Sequence, residues 1–282
     1  MKTPYIQIEI SLPDDLHELF IAELSDYDFD GFEQLKDRLI AWIPENRMND
    51  VTREEIEQLL MRFGSGAHII AEKREEPRNW NAEWESTIKS MKVGRFLVKP
   101  TWEKVPEDED LITLEIDPKM AFGTGYHETT RLMLRIMPDN ISKGDFVIDA
   151  GTGTGILAIA AIKLGADRAF GFDIDEWSYE NAIENIWLNG VQDKIEIKEG
   201  GTEQLKECDQ ADVIIANINT HILVDIADEL LAKLRPRGIL LLSGLLTVDE
   251  QTILSHPEYR KLSHKKTITE GDWIAMSFRS DA

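Results

Sequence analysis

D-F-V-I-D-A-G-T-G-T-G, residues Asp145 to Gly155, is the stretch from which the architecture of the chain follows. Phe146 to Ile148 is a short apolar run of β-forming residues, the pattern of a strand buried on both faces. The strand ends at Asp149, Gly151, Gly153 and Gly155 follow at every second position, and the Ala-rich run Ile156 to Leu164 has the composition of a helix packed on a sheet. A glycine turn between strand and helix lets the backbone take positive φ, or lets a ligand approach closer than a Cβ would allow. The helix N-terminus adds unpaired N–H donors. A polar or anionic ligand is expected there.

Spacing separates the two ligand classes that use such a turn. A dinucleotide fingerprint needs G-x-G-x-x-G or G-x-G-x-x-A, whereas Ile156 follows Gly155 and the third glycine comes one residue early. That spacing disfavours a nicotinamide-dependent oxidoreductase. The acid-x-G-x-G-x-G form instead resembles motif I of the class I methyltransferases, in which the turn faces the amino acid end of S-adenosylmethionine. Arg168 to Phe172 reads as a second strand ending in Asp173, whose carboxylate is suited to accept hydrogen bonds from both ribose hydroxyls.

Outward from this core, strands are expected at Lys194 to Lys198, Asp212 to Ala216 and Ile239 to Leu242. Gly271 to Arg279 completes a terminal hairpin. Helices are expected at Tyr179 to Asn189 and Ile222 to Leu234, and Pro236 to Gly238 reads as a turn. The alternation predicts an α/β doubly wound sheet, mostly parallel, with an antiparallel C-terminal strand. Asn181, Asn185 and Asn189, four apart, read as a polar helix face.

Toward the N-terminus the order changes. Tyr5 to Ile10, Asp28 to Gln34, Arg38 to Ile43 and Ala67 to Glu72 read as strands. One helix follows Pro13 and a second opens at a Thr52/Glu55 capping box. The order β-α-β-β-α-β predicts a small α+β, ferredoxin-like domain over residues 1–75. Residues 76–90, around Pro77, are expected to be a linker, and residues 91–282 the second domain. Trp80 and Trp84, four apart within the linker, read first as a core or interdomain stripe. Val93 to Pro100 and Leu111 to Asp117 open the second domain as strands. Pro118 to Thr130 reads P-K-M-A-F-G-T-G-Y-H-E-T-T, a loop too apolar and too rich in glycine for simple exposure, and is expected to form a flap over a ligand. A helix from Arg131 to Met137 follows it.

Charge and composition narrow the function. The chain carries 53 acids against 31 bases, a net charge of −22, which argues against a direct grip on nucleic acid phosphates and for a basic partner or simple solubility. Residues 1–76 alone hold eighteen acids and eight bases. No apolar run reaches membrane-spanning length, and with one cysteine, Cys208, and no apparent signal sequence, a cytoplasmic, reducing setting is expected. The six histidines show no metal-ligand spacing, and no G-x-S-x-G or Walker sequence supports a hydrolase or nucleotide triphosphatase.

In combination, N-W-N-x-x-W from Asn79, K-P-x-W from Lys99, the A-F-G-T-G-x-H-x-T-T loop and the D-A-G-T-G-T-G turn resemble the ribosomal protein methyltransferases that modify the eleventh protein of the large subunit. Those are class I S-adenosylmethionine-dependent protein lysine methyltransferases. The resemblance runs from about Asn79 to the C-terminus. It implies S-adenosyl-L-methionine as cofactor, held by Gly151, Gly153, Gly155 and Asp173, with Phe122, His127 and Thr130 contributing from the flap. Asn217, at a strand end, is implied as the catalytic residue between cofactor and acceptor amine, its carbonyl accepting a hydrogen bond from the amine. Capping the following helix is the other role open to Asn217. The implied acceptors are lysine side chains, and an N-terminal amine, on a large-subunit ribosomal protein with a lysine-rich surface, recognised by the N-terminal domain. Three positions depart from the family pattern: Tyr126 and Glu128 stand where a threonine and a proline are expected, and Asn219 where leucine is usual. The alternatives are a class I methyltransferase acting on a small-molecule or nucleic acid amine, and a noncatalytic cofactor-binding protein.

Overall fold

A computed structural model describes residues 4–24, 27–63, 66–75, 88–106, 108–119, 123 and 125–281. The chain divides into two compact units, Met1–Trp80 and Asn81–Ala282. Most of the expected linker, with Trp80 and Trp84, and also Phe122 and Thr124 of the flap, lies outside the described residues.

The first unit is a four-stranded antiparallel sheet in the order β2-β3-β1-β4, built from β1 (Tyr5–Ser11), β2 (Gly31–Leu35), β3 (Arg38–Pro44) and β4 (His68–Glu75). Strand alternation sends Ile8 and Ile10 of β1 and Leu39 and Ile43 of β3 to one face, where they meet Phe20 and Leu24 of α1 (His17–Leu24) and Ile56, Leu59 and Leu60 of α2 (Asp50–Arg62). This is the expected ferredoxin-like arrangement. The start of α2 differs from expectation. The cap is Asn49, whose side chain accepts the Thr52 N–H at 3.0 Å, and the Thr52 hydroxyl turns back to the Arg47 carbonyl at 3.3 Å. Asparagine is the stronger cap, so the helix begins three residues before the expected box.

The second unit is organised on a seven-stranded sheet in the order β10-β9-β8-β11-β12-β14-β13. Its strands are β8 (Phe146–Ala150), β9 (Arg168–Asp173), β10 (Ile195–Glu199), β11 (Ala211–Asn217), β12 (Leu234–Leu246), β13 (Leu262–Glu270) and β14 (Trp273–Ser280). The first five pair in parallel, whereas β14 runs antiparallel between β12 and β13. Every residue of β8 is buried, as its unbroken apolar run requires. Val147 packs into the core under α3 (Glu128–Ile136), α4 (Ile156–Leu164) and α5 (Glu176–Leu188). Phe146 and Ile148 pack into the opposite core, with Leu223 of α6 (Thr220–Asp225), Leu230 of α7 (Ala227–Ala232) and Ile253 of α8 (Glu250–Ser255). The single helix expected from Ile222 is thus two short helices meeting at Ile226. The Pro236–Gly238 turn lies inside β12, which absorbs it by a shift of register against β11.

A small third sheet, β5-β6-β7, comprises β5 (Met91–Val93), β6 (Phe96–Lys99) and β7 (Ile112–Glu115). The expected single strand from Val93 is therefore a hairpin, turned at Gly94 with φ of 56°. The asparagine row holds this sheet. Asn181 and Asn185 are 1% and 0% exposed, so the expected polar helix face is a buried one. The Asn189 side chain accepts the Glu115 N–H at 3.1 Å and donates to its carbonyl at 2.6 Å, and Asn185 accepts the Asp117 N–H at 2.9 Å. Three amides one turn apart satisfy the chain at and beyond the end of β7 much as a neighbouring strand would. No helix among the described residues is long and apolar enough to cross a membrane.

Candidate functional site

A cleft of about 740 Å³ opens at the carboxyl ends of β8, β9 and β11. The switch in strand order beside β8 leaves a crevice at this edge of an α/β sheet. Its floor is the glycine turn. Gly151, Gly153 and Gly155 all have positive φ, at 70°, 53° and 79°. At Gly151 a Cβ would also lie 2.4 Å from the Ile218 side chain, so the turn and the β11–α6 loop approach each other as closely as a missing side chain permits. Gly244 serves the same interlock from β12, where a Cβ would stand 2.3 Å from the Ile218 carbonyl oxygen.

Asp173 reaches back to this turn. Its Oδ2 accepts the Gly153 N–H at 2.8 Å and its Oδ1 the Asp175 N–H at 3.1 Å, which leaves each oxygen a second lone pair toward the cleft. Next to it Ile174 is 77% exposed and, with Gly200, Gly201 and Thr202, forms an open apolar end to the cleft suited to a flat base. Asp149 lies beneath the turn. Its Oδ2 accepts from the Thr152 hydroxyl at 2.8 Å and the Ala158 N–H at 3.1 Å. Complete burial raises its pKa to about 7.

The flap is fastened to the turn and to the segment just before β5. The Thr154 hydroxyl donates to the Gly123 carbonyl at 2.7 Å, and the Tyr126 hydroxyl bonds to both backbone groups of Lys89. His127 caps α3, its Nδ1 accepting the Thr129 N–H at 3.3 Å and meeting the Thr129 hydroxyl at 2.8 Å. In the neutral ring the proton therefore sits on Nε2. The ring meets Trp273 edge to face, with centroids 4.8 Å apart, and both line the cleft.

Asn217 closes the arrangement at the end of β11. It is 8% exposed, lines the cleft, and its Oδ1 has no hydrogen-bond partner. The helix after it starts from Asn219, whose side chain makes no capping bond, and not from Asn217. Among the described residues, Thr130 Oγ1, Asp149 Oδ1 and Gln192 Oε1 are other buried side-chain oxygens without partners, but Asn217 is the one of these that borders the cleft. Oδ1 is itself shielded from solvent in this conformation, so a donor arriving with a ligand meets it only once the Asn217 side chain turns toward the cleft, a turn that the unsatisfied acceptor favours.

Of the residues expected from sequence, Gly151, Gly153, Asp173, His127 and Asn217 line this one cleft. Gly155 begins α4 behind the turn, and Thr130 is fully buried while its neighbour Thr129 forms the wall. Trp273, Gly244 and Ile218 were not expected. The first two reach the cleft from β14 and β12, far along the chain, and no local motif marks them. The cleft fits S-adenosylmethionine: a turn too tight for a Cβ, an acid with free lone pairs, an open apolar end and an unpaired amide oxygen.

The comparisons with known proteins agree. Residues 17–281 match the family described as ribosomal protein L11 methyltransferase (PrmA). The ribosomal protein L11 methyltransferase of Chlorobaculum parvum is 38% identical over 96% of this chain and 95% of its own length. That of Porphyromonas gingivalis is 36% identical over 96% and 94%. A crystal structure of ribosomal protein L11 methylase from Lactobacillus delbrueckii subsp. bulgaricus superposes with a TM-score of 0.64 at 29% identity, covering 69% of this chain and all of that one.

Proposed function

The chain belongs to the ribosomal protein L11 methyltransferase family, and from that premise we propose that it methylates lysine side-chain amines of ribosomal protein L11. It is an S-adenosylmethionine-dependent methyltransferase. The observation that carries the site assignment is the unpaired Oδ1 of Asn217 in the cleft wall.

Bound S-adenosylmethionine supplies a methyl group on a sulfonium, which leaves without help from an acid. The tasks left to the protein are to hold the cofactor and to present a neutral amine in line with it. Gly151, Gly153 and Asp173 are the residues proposed to hold it, with His127 and Thr129 from the flap side; the buried Thr130 does not reach it. Asn217 Oδ1 would accept one N–H of the amine and so aim the nitrogen lone pair. A lysine amine titrates near ~10.4 in water, and the −22 charge of this chain favours its protonated form. Desolvation between Trp273 and the glycine turn works the other way. His127, whose Nδ1 is engaged by Thr129, is not assigned as a base. The acidic residues 1–76 favour a lysine-rich protein partner over nucleic acid, and a ribosomal acceptor, together with this chain's single cysteine, Cys208, favours the cytoplasm.

The test is transfer from labelled S-adenosylmethionine into purified L11, with product mass spectrometry, for the parent and for Asn217→Ala. Loss of the aimed acceptor is expected to lower kcat roughly 100-fold while cofactor affinity changes by less than about threefold. Equal labelling by both chains would remove Asn217 from the mechanism. Cofactor binding by the parent with L11 left unlabelled would remove the acceptor assignment.

A further inference from the structure

Arg131 lies in the first turn of α3, with its side chain 18% exposed, and its guanidinium joins three segments. One Nη donates to the Tyr126 carbonyl in the flap, and the other donates to Glu128 Oε1 at 3.0 Å at the start of the same helix. Nε donates to Glu270 Oε1 at 2.7 Å, at the end of β13. The other oxygen of Glu270 accepts from Arg135 at 2.5 Å, and the two guanidinium groups hold the Glu270 carboxyl below the usual range. This ion pair is part-buried, with Glu270 24% exposed, so it is screened less than a surface pair.

Glu270 is the cross-strand neighbour of Trp273 on β14. The tight turn between them passes through Gly271, with φ of 58°. Trp273 in turn meets His127, which directly follows Tyr126. The contacts close a circuit: Arg131 to Glu270, across the hairpin to Trp273, to His127, and back through Tyr126 to Arg131. One edge-to-face ring contact between two cleft walls leaves their separation free to vary. A planar guanidinium fork bonded to both walls does not. The bond to Tyr126 is to its backbone carbonyl, which any residue there supplies, whereas the bond to Glu128 needs that carboxylate.

We infer that Arg131 is a positioning residue for methyl transfer: it fixes the β13–β14 hairpin to the flap and thereby sets the separation of His127 and Trp273 across the acceptor side of the cleft. The kinetic part of this inference rests on the methyltransferase reading above, whereas its structural part does not.

The experiment compares the full-length parent with Arg131→Ala, Arg131→Lys, Glu270→Gln and the Arg131→Ala/Glu270→Gln double variant. The structural measurement is the indole N–H resonance of Trp273 in ¹⁵N spectra, assigned by its loss in Trp273→Phe. It is expected to shift or broaden in all four variants, Lys included, because an ammonium cannot span both walls. An unmoved Trp273 resonance in folded Arg131→Ala would overturn the inference whether or not any acceptor is methylated. The kinetic measurement is methylation of L11. Loss of alignment is expected to lower kcat roughly 10- to 100-fold, with cofactor affinity within about threefold of the parent, and with the double variant no worse than Arg131→Ala alone. Additive losses, or a kcat that follows only the fraction of folded protein, would overturn it as well. A parent that leaves L11 unlabelled while its Trp273 resonance still depends on Arg131 would sink the acceptor assignment and keep the clamp.

Discussion

Asp149 has no exposed surface, and one of its oxygens has no partner. Burial moves its pKa from 3.8 to about 7, so between those values the folded chain keeps a proton that the unfolded chain has released. The contribution of this group to stability is therefore full below the unfolded pKa and is lost as the pH rises toward 7. Asp149→Asn retains an oxygen able to accept from Thr152 and Ala158. It is expected to flatten the pH dependence of urea unfolding across that window, and at pH 8 to be more stable than the parent by up to about 4 kcal/mol, the equivalent of roughly three pKa units. Identical slopes for the two chains would remove the burial argument. Gly151 gives a second prediction at this scale. Alanine there meets both a φ of 70° and the Ile218 side chain at 2.4 Å, a strain of at least 1–2 kcal/mol by rough estimate. Isothermal titration of S-adenosylmethionine into Gly151→Ala is expected to show affinity weakened at least tenfold, on the order of 1.4 kcal/mol. The places of Gly151, Gly153, Asp173 and Asn217 at the cleft were legible in the sequence because motif and strand end carry the signal within a few residues. Trp273 and Gly244 were not, since only pairing of the last strands brings them to the cleft.

Among the elements, the asparagine row corrects a reading made from periodicity alone. A four-residue spacing of polar residues looks the same on a solvated face and on one that clamps a strand end, and burial tells them apart only once β7 is in place. Asn185 accepts the Asp117 N–H and donates to the Thr154 carbonyl, both at 2.9 Å, and thereby joins the small sheet to the glycine turn. Asn185→Leu strands both backbone groups and is expected to cost about 3 kcal/mol in denaturant unfolding. A companion loss of cofactor affinity is expected because Thr154 belongs to the turn. At the opposite end of the chain, Asn49→Ala should destabilise the first unit by about 1 kcal/mol, as for a lost cap. Thr52→Ala should cost less, because the Thr52 side chain does not cap the helix. Equal effects would restore the capping box suggested by the sequence. The helix break at Ile226 escaped the sequence, since apolar spacing continues through it, whereas the β5–β6 turn was marked by Gly94-Arg95 and was read through.

For the molecule as a whole, the order of the units followed directly from β-α-β-β-α-β giving way to alternating strands and helices. Each unit has its own core, the first around Ile8, Phe20 and Ile56, the second on both faces of the seven-stranded sheet. Every described residue that lines the cleft lies within residues 81–282. That fragment is expected to bind S-adenosylmethionine with the affinity of the full chain and, without the acidic first unit, to methylate L11 at least roughly 100-fold less efficiently. Retained L11 methylation by the fragment would show that the acceptor is recognised on the second unit alone.

The strand order of that sheet also has a consequence in time. β14 follows β13 in the sequence yet lies between β13 and β12. While the chain is being made, β12 has no partner on one side until residues up to Ser280 have left the ribosome. At ~5–20 residues per second, the interval from Leu246 to Ser280 lasts roughly 2–7 s. Throughout it an apolar strand edge built from Ile239, Leu240, Leu241 and Leu242 stands open beside other nascent chains. Chaperone capture or aggregation during synthesis should therefore concentrate on chains halted between β12 and β14, and the cleft, lacking Trp273 until that strand inserts, comes into being with the closing of the sheet.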